Sequence, residues 1–196
     1  MTCRRGEPRL LLRRQAMLAA VSAPPNSVWS LGSLKLPKAI ESDPQAAALH
    51  AALREHARPL WAGGALVVPT ARWAPALAAA LESAHREGGL VRGLEQIEKT
   101  LEREARGLSM ADARSATQRG SRVSRLVLVG NDGTERFYRQ VERLLSVQGP
   151  RLLAIRVDAD SERFAALISE ASGVVRAVML EHKELVARVL MALYAR

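Results

Sequence analysis

Between residues 125 and 180 three short apolar runs alternate with amphipathic stretches, and this alternation narrows the possible folds more than any other feature of the chain. Arg125-Leu126-Val127-Leu128-Val129, Leu152-Leu153-Ala154-Ile155 and Val174-Val175-Arg176-Ala177-Val178-Met179-Leu180 are short and rich in branched side chains. Each therefore predicts a strand, and the near-continuous first run predicts one covered on both faces. Phe137, Val141, Leu144 and Leu145 recur at helical spacing after the first run, Phe164, Leu167 and Ile168 after the second, and a closing helix is expected from Lys183 to Tyr194. Strands alternating with helices predict an α/β protein, a three-layer α-β-α sandwich with a central mixed sheet.

The chain before residue 77 reads differently. Residues 1–42 form a basic arm or targeting segment: Arg4, Arg5, Arg9, Arg13 and Arg14 stand against the single acid Glu7 before Pro24-Pro25. An Arg-rich, acid-poor start resembles an organellar transit peptide, and a basic arm that stays on the protein is the other reading. Asp43-Pro44 is a helix-start signal, and Ala46, Leu49, Ala52, Leu53 and Ala57 supply the stripe behind it. Residues 43–76 are thus expected as a helical extension packing on the domain, with a short strand at 65–69 after Gly63-Gly64. Residues 77–196 form the α/β domain. Its first helix buries Leu77, Ala80, Leu81 and Ala84, and residues 105–124, small, basic and aperiodic, interrupt the domain as an insertion. Arg106, Arg114, Arg119, Arg122 and Arg125 make that insertion either a phosphate-contacting loop or a solvated one.

Composition selects among partners. A formal charge of +9 with a preference for Arg over Lys suits an anionic partner, RNA, DNA or an acidic surface, because the guanidinium fork pairs well with phosphates. Aromatic residues make up only 4%, too few for a broad base-stacking platform. Cys3 is the only cysteine, so neither an intrachain disulfide nor a cysteine-rich metal site can form. No apolar run approaches the roughly 20 residues that span a bilayer, which leaves no membrane partner in prospect.

Catalytic signatures are missing. The glycines of Gly130-Asn131-Asp132-Gly133 lack dinucleotide-binding spacing, and no phosphate-binding loop with its Lys occurs. His50, His56, His85 and His182 are dispersed, and the strand-end acids Asp132, Asp158 and Asp160 have an ordinary role as turn formers and caps. No cofactor, metal or enzymatic activity is expected. The stretch most suited to binding is Gly89-Leu90-Val91-Arg92-Gly93-Leu94-Glu95-Gln96-Ile97-Glu98-Lys99. It reads as an extended segment, a glycine pivot and a helix whose buried side is Leu94, Ile97 and Leu101. Glu95, Gln96, Lys99 and Arg103 are left outward beside a helix N-terminus, a place suited to an anion or a base.

Those residues, in that order, resemble the kink-turn RNA-binding superfamily of ribosomal protein L-seven-Ae, with the L-thirty-e and Gadd types. Its extended Gly-x-[Val/Ile]-x-x-Gly corresponds to Gly89-Leu90-Val91-Arg92-Gly93, one residue shorter before the second glycine, its helix start to Gly93-Leu94-Glu95-Gln96 and its Lys to Lys99. Leu126 to Asp132 resembles its apolar strand and acidic turn, and Gly173 to Ala177 its apolar loop. The resemblance covers residues 77 to 195 and departs where Glu95-Gln96 replaces an Asn-Glu pair and where residues 105–124 replace the usual short link before the Leu126 strand. The Pop-three type of subunit of ribonuclease P and ribonuclease MRP looks nearest.

The resemblance implies a non-catalytic RNA-binding subunit of a ribonucleoprotein, active in tRNA and rRNA processing, with structured RNA and other protein subunits as partners. It implies a nuclear or nucleolar location, against a mitochondrial or other organellar one from the Arg-rich start. It further implies that Gly93 lets RNA approach, Gln96 and Lys99 contact bases and phosphate, and Val174 and Val175 cover an unstacked base. Arg92, Arg103 and Arg176 would meet phosphates, with Glu95 and Asp132 on the same edge. A protein–protein adaptor of the same fold and an organellar ribosomal or assembly protein are the alternatives.

Overall fold

The computed structural model describes residues 31–112, 121–167 and 174–194. The arm before residue 31, the middle of the expected insertion with Arg114 and Arg119, Ile168 and Gly173 lie outside the described residues.

A mixed sheet of six strands forms the middle layer, in the order β1-β2-β5-β4-β6-β3. The strands are β1 (Ala57–Pro59), β2 (Val67–Arg72), β3 (Leu90–Arg92), β4 (Arg125–Val129), β5 (Leu152–Asp158) and β6 (Ala177–Leu180). β2, β5 and β4 run parallel; β6 lies antiparallel between β4 and β3, and β1 pairs antiparallel with the outer half of β2. The helices are α1 (Lys38–Glu41), α2 (Ala46–Glu55), α3 (Pro75–Arg86), α4 (Leu94–Asp112), α5 (Glu135–Gln148), α6 (Ser161–Leu167) and α7 (Lys183–Tyr194). α4 and α5 pack together on one face; α7 gathers α1, α2 and α3 on the other, where α3 also meets α6. The expected three-layer sandwich is the observed one.

The central strands explain their own sequence. Leu126 to Val129 and Ala177 to Leu180 are buried throughout, as strands covered on both faces must be. Among the described residues the buried set contains no polar or charged side chain. Helix starts follow local chemistry: Pro75 opens α3, the Thr134 hydroxyl accepts the Phe137 amide at the start of α5, and Asp160 accepts the Arg163 amide at the start of α6.

Five sequence expectations need correction. Residues 43–76 are more than a helical extension, because they supply β1 and β2 to the sheet. Their strand lies at 67–72 rather than 65–69, with Pro69 at the last residue paired to β1 before β2 switches to β5 at Thr70. Pro lacks the N–H that an interior ladder position needs, so this junction suits it. Part of the expected arm also belongs to the core: Leu34, Leu36 and Ile40 are buried, and the Lys35 carbonyl accepts the Val123 amide at 2.7 Å. Residues 105–112, expected as the start of an insertion, continue α4. β6 begins at Ala177 rather than Val174, so residues 174–176 enter it as irregular backbone.

Candidate nucleic-acid interface

β2, β3, β4 and β5 end at one side of the sheet, and each is followed there by a helix that starts at the same side. This follows from the strand directions, since β3 and β4 are both antiparallel to β6 and therefore parallel to one another. The N-termini of α3, α4, α5 and α6 thus collect along one crest, each contributing unpaired amides and partial positive charge.

Two backbone bonds join the predicted site residues on this crest. The Gly93 amide donates to the Ala177 carbonyl at 2.8 Å, and the Gly130 amide donates to the Arg176 carbonyl at 2.8 Å. The residues that enter β6 are thereby clamped between the Gly93 turn and the turn after β4. Gly93 has φ +77°, a conformation that favours glycine, and its carbonyl accepts the Ile97 amide in the first turn of α4.

From that start α4 presents Glu95, Gln96, Lys99 and Arg103 to solvent, and Arg92 is exposed at the end of β3. Lys99 donates to Glu95 at 2.7 Å across one helical turn, and this hydrogen bond and charge hold the Glu95 carboxyl below its ordinary range. Arg103 is further off, about 14 Å along the axis from the helix start at 1.5 Å per residue. It belongs to the flank of α4 rather than to the crest.

The turn after β4 is the best-anchored part. The Tyr138 hydroxyl donates to the Gly130 carbonyl at 2.9 Å and accepts the Gly133 amide at 3.1 Å. Asp132 accepts the Ser161 hydroxyl at 2.7 Å, and Arg176 Nε lies 3.6 Å from the same carboxylate oxygen. Burial alone pushes the Asp132 carboxyl up; the hydroxyl and amide of Ser161 and the charge of Arg176 outweigh it and hold the carboxyl below its ordinary value. Beside it the Asn131 amide donates to Asp158 at 2.7 Å. Asp132, Asp158 and Asp160 are thus engaged by neighbours, while Glu95, Glu135 and Glu162 stay exposed at the helix starts beside the arginines.

Besides Arg103, a second predicted site residue is out of place. Val174 is 63% exposed, whereas Val175 is 6% exposed and part of the core. Adjacent side chains in extended chain point to opposite sides, so only one valine can face a ligand. In the other direction, the crest holds Arg136 and Arg163, exposed in the first turns of α5 and α6. Sequence reasoning did not select them, because only the strand order shows that their helices start beside α4.

Among the described residues no group of three or more His, Cys, Asp and Glu side chains is arranged to hold a metal ion, and no helix is long and apolar enough to cross a membrane. No protein-family model and no curated protein matches the chain.

Proposed function

We propose that the protein is a non-catalytic RNA-binding subunit of a ribonucleoprotein, of the ribonuclease P/MRP kind, and that it holds a kinked or bulged RNA on the crest around Gly93. The observation that carries this reading is the clamp of residues 174–176 between Gly93 and Gly130, whose two bonds join segments 46 and 84 residues apart in sequence into one edge. On that edge Gln96 and Lys99 offer contacts to bases and phosphate, Val174 an apolar cover for one unstacked base, and Arg92 and Arg176 the phosphate term. Bulges and loops are where proteins read RNA sequence, because paired bases in an A-form helix hide their edges. The resemblance to the kink-turn superfamily supports the same residues. Localisation in the nucleus or nucleolus follows from that assignment.

Filter binding to a kink-turn RNA at moderate salt tests it. The variant Gln96→Ala plus Lys99→Ala is expected to bind about tenfold more weakly or worse, the scale of one charged hydrogen bond removed. Unchanged affinity removes the proposed edge.

The Glu95–Lys99 pair favours a second reading. It places a carboxylate that is 80% exposed where RNA would approach, and an adaptor docking on a basic protein would use it. Partners that co-purify after nuclease digestion, and are lost on Glu95→Gln, would select this reading.

A further inference from the structure

α4 and α5 leave the crest side by side and run down the same face of the sheet, and each carries its own row of cations. On α4 these are Lys99 and Arg103, interleaved with Glu95, Glu98 and Glu102. On α5 they are Arg136, Arg139 and Arg143, spaced three and four residues apart and all exposed, a row about 10 Å long on one helix face. The opposite face of α5 is committed to the core through Tyr138, Val141 and Leu144. The three arginines line a shallow hollow of about 600 Å³ with Glu135 and Gln140.

The row is positioned, and two of its three arginines pair with carboxylates at the surface. Arg139 sits over the Trp61 ring, 5.5 Å from its centroid, and also meets Glu135. Arg143 lies 3.5 Å from Glu98 of α4. Arg139 and Arg143 are 66% and 69% exposed, so these are screened surface contacts that a phosphate readily displaces. Glu142 is turned away and accepts the Leu66 amide instead.

We propose that the α5 row is a second phosphate-binding surface, which takes the backbone of the double-stranded stem flanking the nucleotides held at Gly93. The proposal rests on the RNA-binding reading above. Guanidinium forks match phosphate geometry, and two rows separated by about one helix packing distance, roughly 8–10 Å, suit phosphates on either side of a groove. A single strand fits worse: it needs aromatic faces to stack on, and Trp61 already lies beneath Arg139. Duplex RNA needs none, being bound through its shape, phosphates and 2′-hydroxyls.

The test uses the full chain and two synthetic bulged RNAs, one with a stem of about a dozen base pairs and one with about four. The variant Arg136→Gln plus Arg139→Gln plus Arg143→Gln is compared with the wild type over a salt series. On the long stem, the slope of log affinity against log salt is expected to become shallower by about one for each phosphate no longer engaged; on the short stem the two proteins should agree. Arg136→Gln alone, which disturbs neither Trp61 nor Glu98, should lower the long-stem slope by about one if the triple variant loses its fold. Equal slopes on the long stem overturn the proposal, as does an equal loss on both stems. Gln96→Ala plus Lys99→Ala should weaken both RNAs. A wild type that binds neither RNA sinks both readings, whereas one that binds both and is matched by the arginine variants sinks only the second surface.

Discussion

Gly93 and Asp132 fix the crest by different means, and substitutions separate them. A Cβ at Gly93 would meet no atom within 4 Å, so Gly93→Ala tests conformation alone. Holding a non-glycine residue at φ +77° costs about 1–2 kcal/mol, and the urea midpoint should fall by the corresponding amount with the slope unchanged. Asp132 is a question of protons. Its folded carboxyl titrates below the ordinary value of 3.8, so the folded chain holds fewer protons there than the unfolded chain. The stability it contributes is complete above that value and is lost as pH falls through the lower folded one. Asp132→Asn should therefore flatten the loss of thermal stability below about pH 4, seen as converging melting temperatures of the two proteins in acid. A mutant curve parallel to the wild type throughout would place the acid sensitivity elsewhere.

Helix α4 shows how a local exception hides an element. Its stripe runs Leu94, Ile97 and Leu101 and then reaches Glu104, an acid where the pattern demands an apolar residue, so the periodicity looks finished there. Glu104 is satisfied by a two-pronged contact with Arg125, at 2.8 Å and 3.0 Å, and the stripe resumes at Leu108. Arg125 lies 21 residues on, beyond any window used to judge a helix. Gly107 adds to the disguise. It sits inside α4 with nothing within 4 Å of an added Cβ, so Gly107→Ala should stabilise the protein by about 0.5–1 kcal/mol, measured as a higher urea midpoint. The short strands had the opposite difficulty. β4 and the core of β6 were legible because uninterrupted apolar runs have few other uses, but Val174 and Val175 extended the second run past the true start of β6. Burial of Val175 in the irregular entry explains why composition alone could not place the boundary.

At the scale of the whole molecule, the layers were legible and the strand order was not. Alternation along the chain predicts a sandwich, while pairing between β2 and β5 joins segments more than 80 residues apart with no local signal. For the same reason the collection of four helix starts on one crest, and with it Arg136 and Arg163, needed the structure. The order also makes the first part of the chain integral. Leu34, Leu36, Ile40, Leu49, Leu53 and Val68 are buried, and Thr70 to Arg72 cover the flank of β5. A chain starting at residue 77 should therefore expose a bare parallel edge and a stripped face, and should aggregate or remain partly unfolded by sedimentation and circular dichroism. A soluble monomer with native-like ellipticity would show that the first part is dispensable.

The place of β6 carries a consequence in time. Among the described residues β3 pairs with no strand but β6, and β6 is made some 85 residues later. Until then the Gly93 turn has no carbonyl to receive its amide, and the loop that flanks it does not yet exist. The candidate edge is thus absent from a nascent chain while β4 and β5 are already able to pair. Translation must deliver residue 177 before the crest can close, so an interrupted chain carries a sheet without the bond that joins Gly93 to Ala177.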